Sequence, residues 1–421
     1  MANSEHLALI KQGAEVWNSW YARHRRVIPD LSQANLSNLK LEGINLKKAI
    51  LTQANLSNAN LSKAQLNCAD LSKANLLGAN LNDADLKSAN LDYVVFFEAI
   101  INRQTIMAAK YRQVHQIVNH QSENKDFSGV DLSNSNLFRV DLSNVELSNA
   151  KLLNVNFNSA NLNSAYLYKA DLTGANLQNA DLRNAYFSHA NLTSAYLGGA
   201  LCGGTYFKDA ELKFANLKAA KFSHKTMIDL KWYSVWEIVN RGAAKKNLSG
   251  ADLSNANLQD ADFEEANLTN AKLSNAILRR SNLTNANLTN TNLVGANVCG
   301  VDLDRANLKG AKLKSVISDR HTQLFSTSGS NNVMVKERPV VTANQTKADR
   351  TKIQQPTPNV PVSKTTSVAE KQNKQPPAKW WVILFLGIGG ITAGSIFLIQ
   401  NPNHSLFTKF EAWKNQIELG Q

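Results

Sequence analysis

The sequence predicts an all-β solenoid with short helical inserts and one C-terminal transmembrane helix. Three observations lead there. Leu or Phe recurs at every fifth residue over most of positions 31–313, no proline falls between Leu31 and Arg338, and an uncharged run of twenty residues occupies 380–399.

The periodicity comes in three blocks. Leu or Phe stands at every fifth position from Leu31 to Phe96, from Phe127 to Phe222 with Cys202 as the one exception, and from Leu248 to Leu313 with Val298 as the one exception. Two residues before most centres stands Ala, as in Ala54-Asn55-Leu56 and Ala175-Asn176-Leu177. Neither regular secondary structure tolerates this spacing. In an α-helix, five residues advance about 500°, so successive leucines form no stripe. In a flat strand, an odd period sends them to opposite faces. The pattern is met if each unit is a short extended piece followed by a corner, so that Ala and Leu both point to one axis. The intervening Asn or Asp, and the small polar residues at the corners, then face water or satisfy turn amides.

With the repeat A(N/D)LXX on the page, the chain resembles the pentapeptide-repeat family over about 30–317. The resemblance implies a right-handed quadrilateral β-helix of four units per coil, hence twelve coils and a rod of about 58 Å at strand spacing. Each coil depends on its neighbours, and the exposed ends are the weak points.

The elements follow in order. Residues 1–29 carry an N-terminal capping helix with Leu9, Ile10, Ala14, Trp17 and Trp20 on one side. Block 1 spans 30–101, a helical insert 102–126, block 2 127–223, a second insert 224–246 and block 3 247–317. The inserts resemble each other: Thr105…Tyr111…Val114-His115…Ile117-Val118-Asn119 aligns with Thr226…Trp232…Val235-Trp236…Ile238-Val239-Asn240. Apolar spacing from Tyr111 to Val118 and from Trp232 to Val239 predicts a short amphipathic helix in each. Such helices either cover a solenoid edge or present Trp232 and Trp236 to a partner.

Residues 318–379 are polar, basic and proline-containing, and read as a disordered linker. Trp380–Ile399 is long enough to span a bilayer. Lys364, Lys371, Lys374 and Lys379 precede it, which places the solenoid in the cytoplasm. Gly390 and Gly394 form a GxxxG through which two such helices could dimerise, although glycine is common in membrane helices anyway. The tail at 400–421, with Leu406, Phe407, Phe410, Trp413 and Ile417 at helical spacing, reads as a short amphipathic helix on the far surface. No cleavable leader is expected.

The chain of 421 residues carries a net charge of +13. That charge sits outside the blocks, whose own net charges are −1, +1 and 0. A nucleic-acid binder needs a basic groove and a mimic of duplex DNA a strongly acidic surface, so nucleic acid is not an expected partner. DNA mimicry directed at a topoisomerase, an activity found among relatives with this repeat, stands as the alternative function. No P-loop, dinucleotide fingerprint, GxSxG or HExxH occurs, the histidines are scattered, and the three cysteines lie far apart. No enzyme activity, cofactor or metal is expected. Asp and Asn alternate in the slot before the central Leu, which fits hydrogen bonding and not acid catalysis.

One surface feature stands out. Tyr166, Tyr186 and Tyr206 are spaced by twenty and stack on one face if four units make a coil. The ladder either stabilises the rod or serves as a docking strip. The function expected is a non-catalytic, membrane-anchored scaffold that binds a protein partner along a rigid rod, in envelope organisation or localisation.

Overall fold

The computed structural model describes residues 1–119, 125–301, 303, 305–319, 322 and 336–337. Residues 1–342 form one compact unit. The expected membrane span, its Gly390–Gly394 pair and the tail at 400–421 lie outside the described residues. Among the described residues no helix is long and apolar enough to cross a membrane.

One unit shows how five residues close a side. The amide of Leu56 donates to Asn75 O in the next coil (2.8 Å) and that of Asn58 to Leu77 O (2.7 Å). The amide of Asn60 donates back to Leu39 O (2.9 Å), and that of Ala59 closes the turn on Leu56 O (3.1 Å). The fifth amide, Ser57 N, donates to the side chain of Asn55 (3.1 Å). All five donors are thus satisfied, one of them only because an Asn or Asp precedes the leucine. At Asp181 the same acceptor takes Arg183 N (3.1 Å), so the carboxylate and the amide are interchangeable here.

Parallel bridges pair each unit with the one twenty residues on, as in Asn35↔Asn55↔Asn75, so four units make a coil. Leu56, Leu61, Leu167 and Leu172 and their Ala partners are fully or almost fully buried along one continuous core. Most corners hold a residue near φ +60°, usually not glycine: Asn58, Lys63 and Glu98 all adopt it. That conformation costs an ordinary side chain about 1–2 kcal/mol. Hydrogen bonding to both neighbouring coils outweighs the cost.

Among the described residues, four helices interrupt or cap the coils. The expected single N-terminal helix is two, α1 (Ser4–Ile10) and α2 (Ala14–Arg23), because Gly13 between them sits at φ +105°, outside helical geometry. The inserts form α3 (Ala109–Asn119) and α4 (Leu230–Arg241), as their apolar spacing predicts. Each insert begins with a six-residue side, which accounts for the one-residue slip in the repeat: Asp85 pairs with Ile106 and Tyr206 with Met227. In both, a threonine hydroxyl ties the longer corner down, Thr105 to Leu81 O (2.9 Å) and Thr226 to Cys202 O (2.6 Å). Thr322 repeats the bond on Val298 O (2.9 Å) at the end of block 3.

The blocks join through backbone bonds. Tyr93 N donates to Asn134 O (2.8 Å) and Phe214 N to Asn255 O (2.7 Å), so one corner column passes straight from block to block while the helix replaces another side. Within the expected linker, Lys336–Glu337 (β2) pairs in parallel with Ile317–Ser318 (β1).

Candidate docking face

At the rod's edges, where the next coil is missing, one asparagine on each of α2, α3 and α4 bonds to the backbone of the end coil. Asn119 Nδ2 donates to Phe96 O (2.9 Å) and its Oδ1 accepts from Glu98 N (2.6 Å). Asn240 does the same with Leu217 O (3.0 Å) and Ala219 N (2.6 Å). On α2, Asn18 pairs with Gly43 O (3.1 Å) and Asn45 N (2.8 Å). A neighbouring ring completes each clamp: His115 on Ala99 O (2.7 Å), Trp236 Nε1 on Ala220 O (2.8 Å) and Trp17 Nε1 on Asn45 O (2.7 Å).

The two tryptophans of α4 lie against the rod. Trp232 and Trp236 are 6% and 8% exposed. Trp236 lies flat on Phe222, with ring centroids 4.7 Å apart, at the end of an internal stack that continues through Phe207 to Phe187. Both indoles are packed into the hydrophobic core, because the apolar spacing that predicts the helix aims them inward.

The tyrosines are different. Tyr166↔Tyr186↔Tyr206 are bridge partners on three successive coils. The rings of Tyr186 and Tyr206 stack at 4.7 Å and 17°, and Tyr166 tilts away at 6.3 Å. Burial first, and then the phenol of Tyr186, push the Tyr206 hydroxyl above its ordinary pKa. Tyr166 is 55% exposed and Met227, the next rung after Tyr206, is 54% exposed. Leu230 at the start of α4 is exposed as well. The corner beyond Tyr206 is fixed by Lys208 Nζ on Asp229 Oδ1 (2.7 Å) and Asp209 N on Asp229 Oδ2 (3.1 Å). The corresponding column of block 1 reads Asn45, Gln65, Asp85 and Ile106 and carries no aromatic ring.

Among the described residues no cluster of His, Cys, Asp and Glu has the arrangement of a metal site. The carboxylates before the leucines are engaged in turns, as Asp171 is with Thr173 N (3.1 Å) and Thr173 Oγ1 (2.6 Å). Cys202 fills a leucine position inside the core, where burial pushes its thiol pKa up.

The sequence profile "Pentapeptide repeats" matches residues 30–67, 64–103, 126–163, 150–188, 185–223, 247–285 and 281–317. No curated protein sequence matches the chain. Among solved structures, a pentapeptide repeat protein from the thylakoid lumen of Arabidopsis thaliana is 32% identical, over 26% of this chain and 74% of that one, with a TM-score of 0.24. HetL of the cyanobacterium Nostoc sp. strain PCC 7120, described as involved in heterocyst differentiation regulation, is 25% identical over 72% and 94% of the two chains, with a TM-score of 0.15. Rfr23 of the cyanobacterium Cyanothece 51142 is 36% identical over 25% and 64%, with a TM-score of 0.15. The chain belongs to the pentapeptide-repeat family, and its body is a β-helical solenoid of four units per coil.

Proposed function

We infer that the protein is a non-catalytic scaffold, tethered to a membrane by residues 380–399, that holds a protein partner against the tyrosine face of block 2 in envelope organisation or localisation. The observation that carries this reading is an exposed aromatic and apolar strip, Tyr166, Tyr186, Tyr206 and Met227, running over successive coils of one face. A rod of this kind gains nothing from Tyr166 at 55% exposure beyond ladder stacking, and such strips mark contact surfaces. The near-neutral blocks lack the acidic surface that mimicry of duplex DNA would need.

Proximity labelling from the N-terminus in the native cell, comparing the wild type with Y166S/Y186S/Y206S, tests the reading. A partner lost from the membrane fraction with the triple variant supports it. An unchanged labelling pattern from a normally folded variant contradicts it.

A further inference from the structure

The tyrosine face has a twofold pattern. Counting coils from Tyr186, Tyr166 lies one coil below and Tyr206 one coil above. The residue three beyond each tyrosine occupies the same exposed corner: Lys169 below, His189 level with Tyr186 and Asp209 above. The Lys169 ammonium lies over the ring of Tyr168 (5.1 Å), and the Asp209 carboxylate stands 3.8 Å from Lys208 Nζ, which is held closer by Asp229 (2.7 Å). On the other flank, Asn163 and Ser164 below correspond to Gly203 and Gly204 above, which carry no side chains.

Consider two such faces laid together about a twofold axis through Tyr186, perpendicular to the rods. The operation exchanges the coil above with the coil below and keeps each flank on its own side. Tyr166 then meets Tyr206 of the other copy, and Tyr186 meets itself. Lys169 meets Asp209, twice by symmetry. Asn163 and Ser164 meet the space left by Gly203 and Gly204. The like charges of Arg183 that approach each other near the axis are already neutralised within each copy by Asp181 (2.6 Å). Both faces also share the strand spacing of about 4.8 Å, so every rung stays in step along the contact.

We propose that the partner seated on the tyrosine face is a second copy of this chain, docked side by side and antiparallel. This rests on the reading of that face as a docking surface. The charge complementarity of Lys169 and Asp209 selects this occupant over an unrelated protein. Few rungs are involved, which puts the contact at the small end of specific interfaces and makes it weak in solution, strengthened where the chains are confined to a membrane.

The test uses the full chain in detergent at about 100 µM, where a weak contact of this size is populated. Molar mass is measured by sedimentation for the wild type, K169E, D209K and K169E/D209K. Both residues occupy a corner that Lys63 and Glu98 also occupy elsewhere in the rod, so the exchanges leave the fold intact. The expected result is a dimer weakened about tenfold or more in each single variant and restored in the double. Each single exchange sets like charges together twice, and that accounts for the size of the loss. Y186C should crosslink to its own counterpart under mild oxidation. A monomeric wild type, a dimer indifferent to K169E, or a double variant no better than the singles overturns the proposal. Because the proximity-labelling test reads a different variant, a monomer that still loses a partner with the triple Tyr variant sinks this inference and leaves the docking reading standing.

Discussion

Asn119 and Asn240 make the same set of hydrogen bonds at two different block ends, each clamping one carbonyl and one amide of the last coil and one carbonyl of its own helix. The side-chain amide stands in for the strand that is missing there. Replacing Asn240 with Leu removes the partner of Ala219 N and one of the two donors to Leu217 O, which keeps Ala220 N (3.2 Å), at about 0.5–1.5 kcal/mol for each bond lost. Chemical denaturation of N240L should show a loss of that order, and N119L a similar one. A change under about 0.5 kcal/mol, the range of ordinary surface substitutions, would mean the clamps hold nothing.

Leu172 is fully buried in the middle of block 2. Leu172→Ala should cost about 2–5 kcal/mol. Since each coil supports only its neighbours, hydrogen exchange should rise first in the coils either side of it. Uniformly raised exchange across all three blocks would instead point to a single global core.

Cys202 is buried while Cys68 is exposed. A maleimide reagent should modify Cys68 in the folded protein and reach Cys202 only on denaturation, since the buried thiol resists forming the reactive thiolate. Mass spectrometry of the labelled peptides reads the order directly.

Acid should unfold the rod through its turn carboxylates. The amide and then the hydroxyl of Ser32 hold Asp30 below the usual carboxylate range, and the hydroxyl and then the amide of Ser128 do the same for Asp126. A lowered folded pKa contributes stability that is present above the unfolded value of about 3.9 and lost as the pH falls through the folded one. In D30N/D126N the acceptor remains but the titration goes. Its stability should fall less steeply below about pH 4 than that of the wild type, as read by circular dichroism.

Tyr111 on α3 points to a second titration. Burial, and then its bond to Asp92 (2.9 Å), push its hydroxyl up to about 12. Alkaline titration followed by ultraviolet absorbance should lose one late-ionising phenol in Y111F, and no other band should move.

The repeat made most of the fold legible. Ala54 and Leu56 share the interior, Asn55 turns the chain, and the separation of twenty residues between Tyr166, Tyr186 and Tyr206 placed them on one face. Less visible was everything that depends on an edge. Asn119 and Asn240 are ordinary letters in a chain full of asparagine, and only their equal distance from Thr105 and Thr226 marks them. For Trp232 and Trp236 the sequence leaves both covering an edge and meeting a partner open, because aromatic spacing on a helix does not say what the helix covers. Gly13 broke the first helix through a backbone angle, which apolar periodicity does not record.

Continuity of the rod across its inserts is measured most directly at two amides. Tyr93 and Phe214 donate across the block boundaries to Asn134 and Asn255. In hydrogen exchange of the full chain they should be protected as strongly as Asn58, inside block 1. Exchange at the rate of an open loop at either amide would mean that the blocks hinge there, and that no single rigid flank runs along the protein.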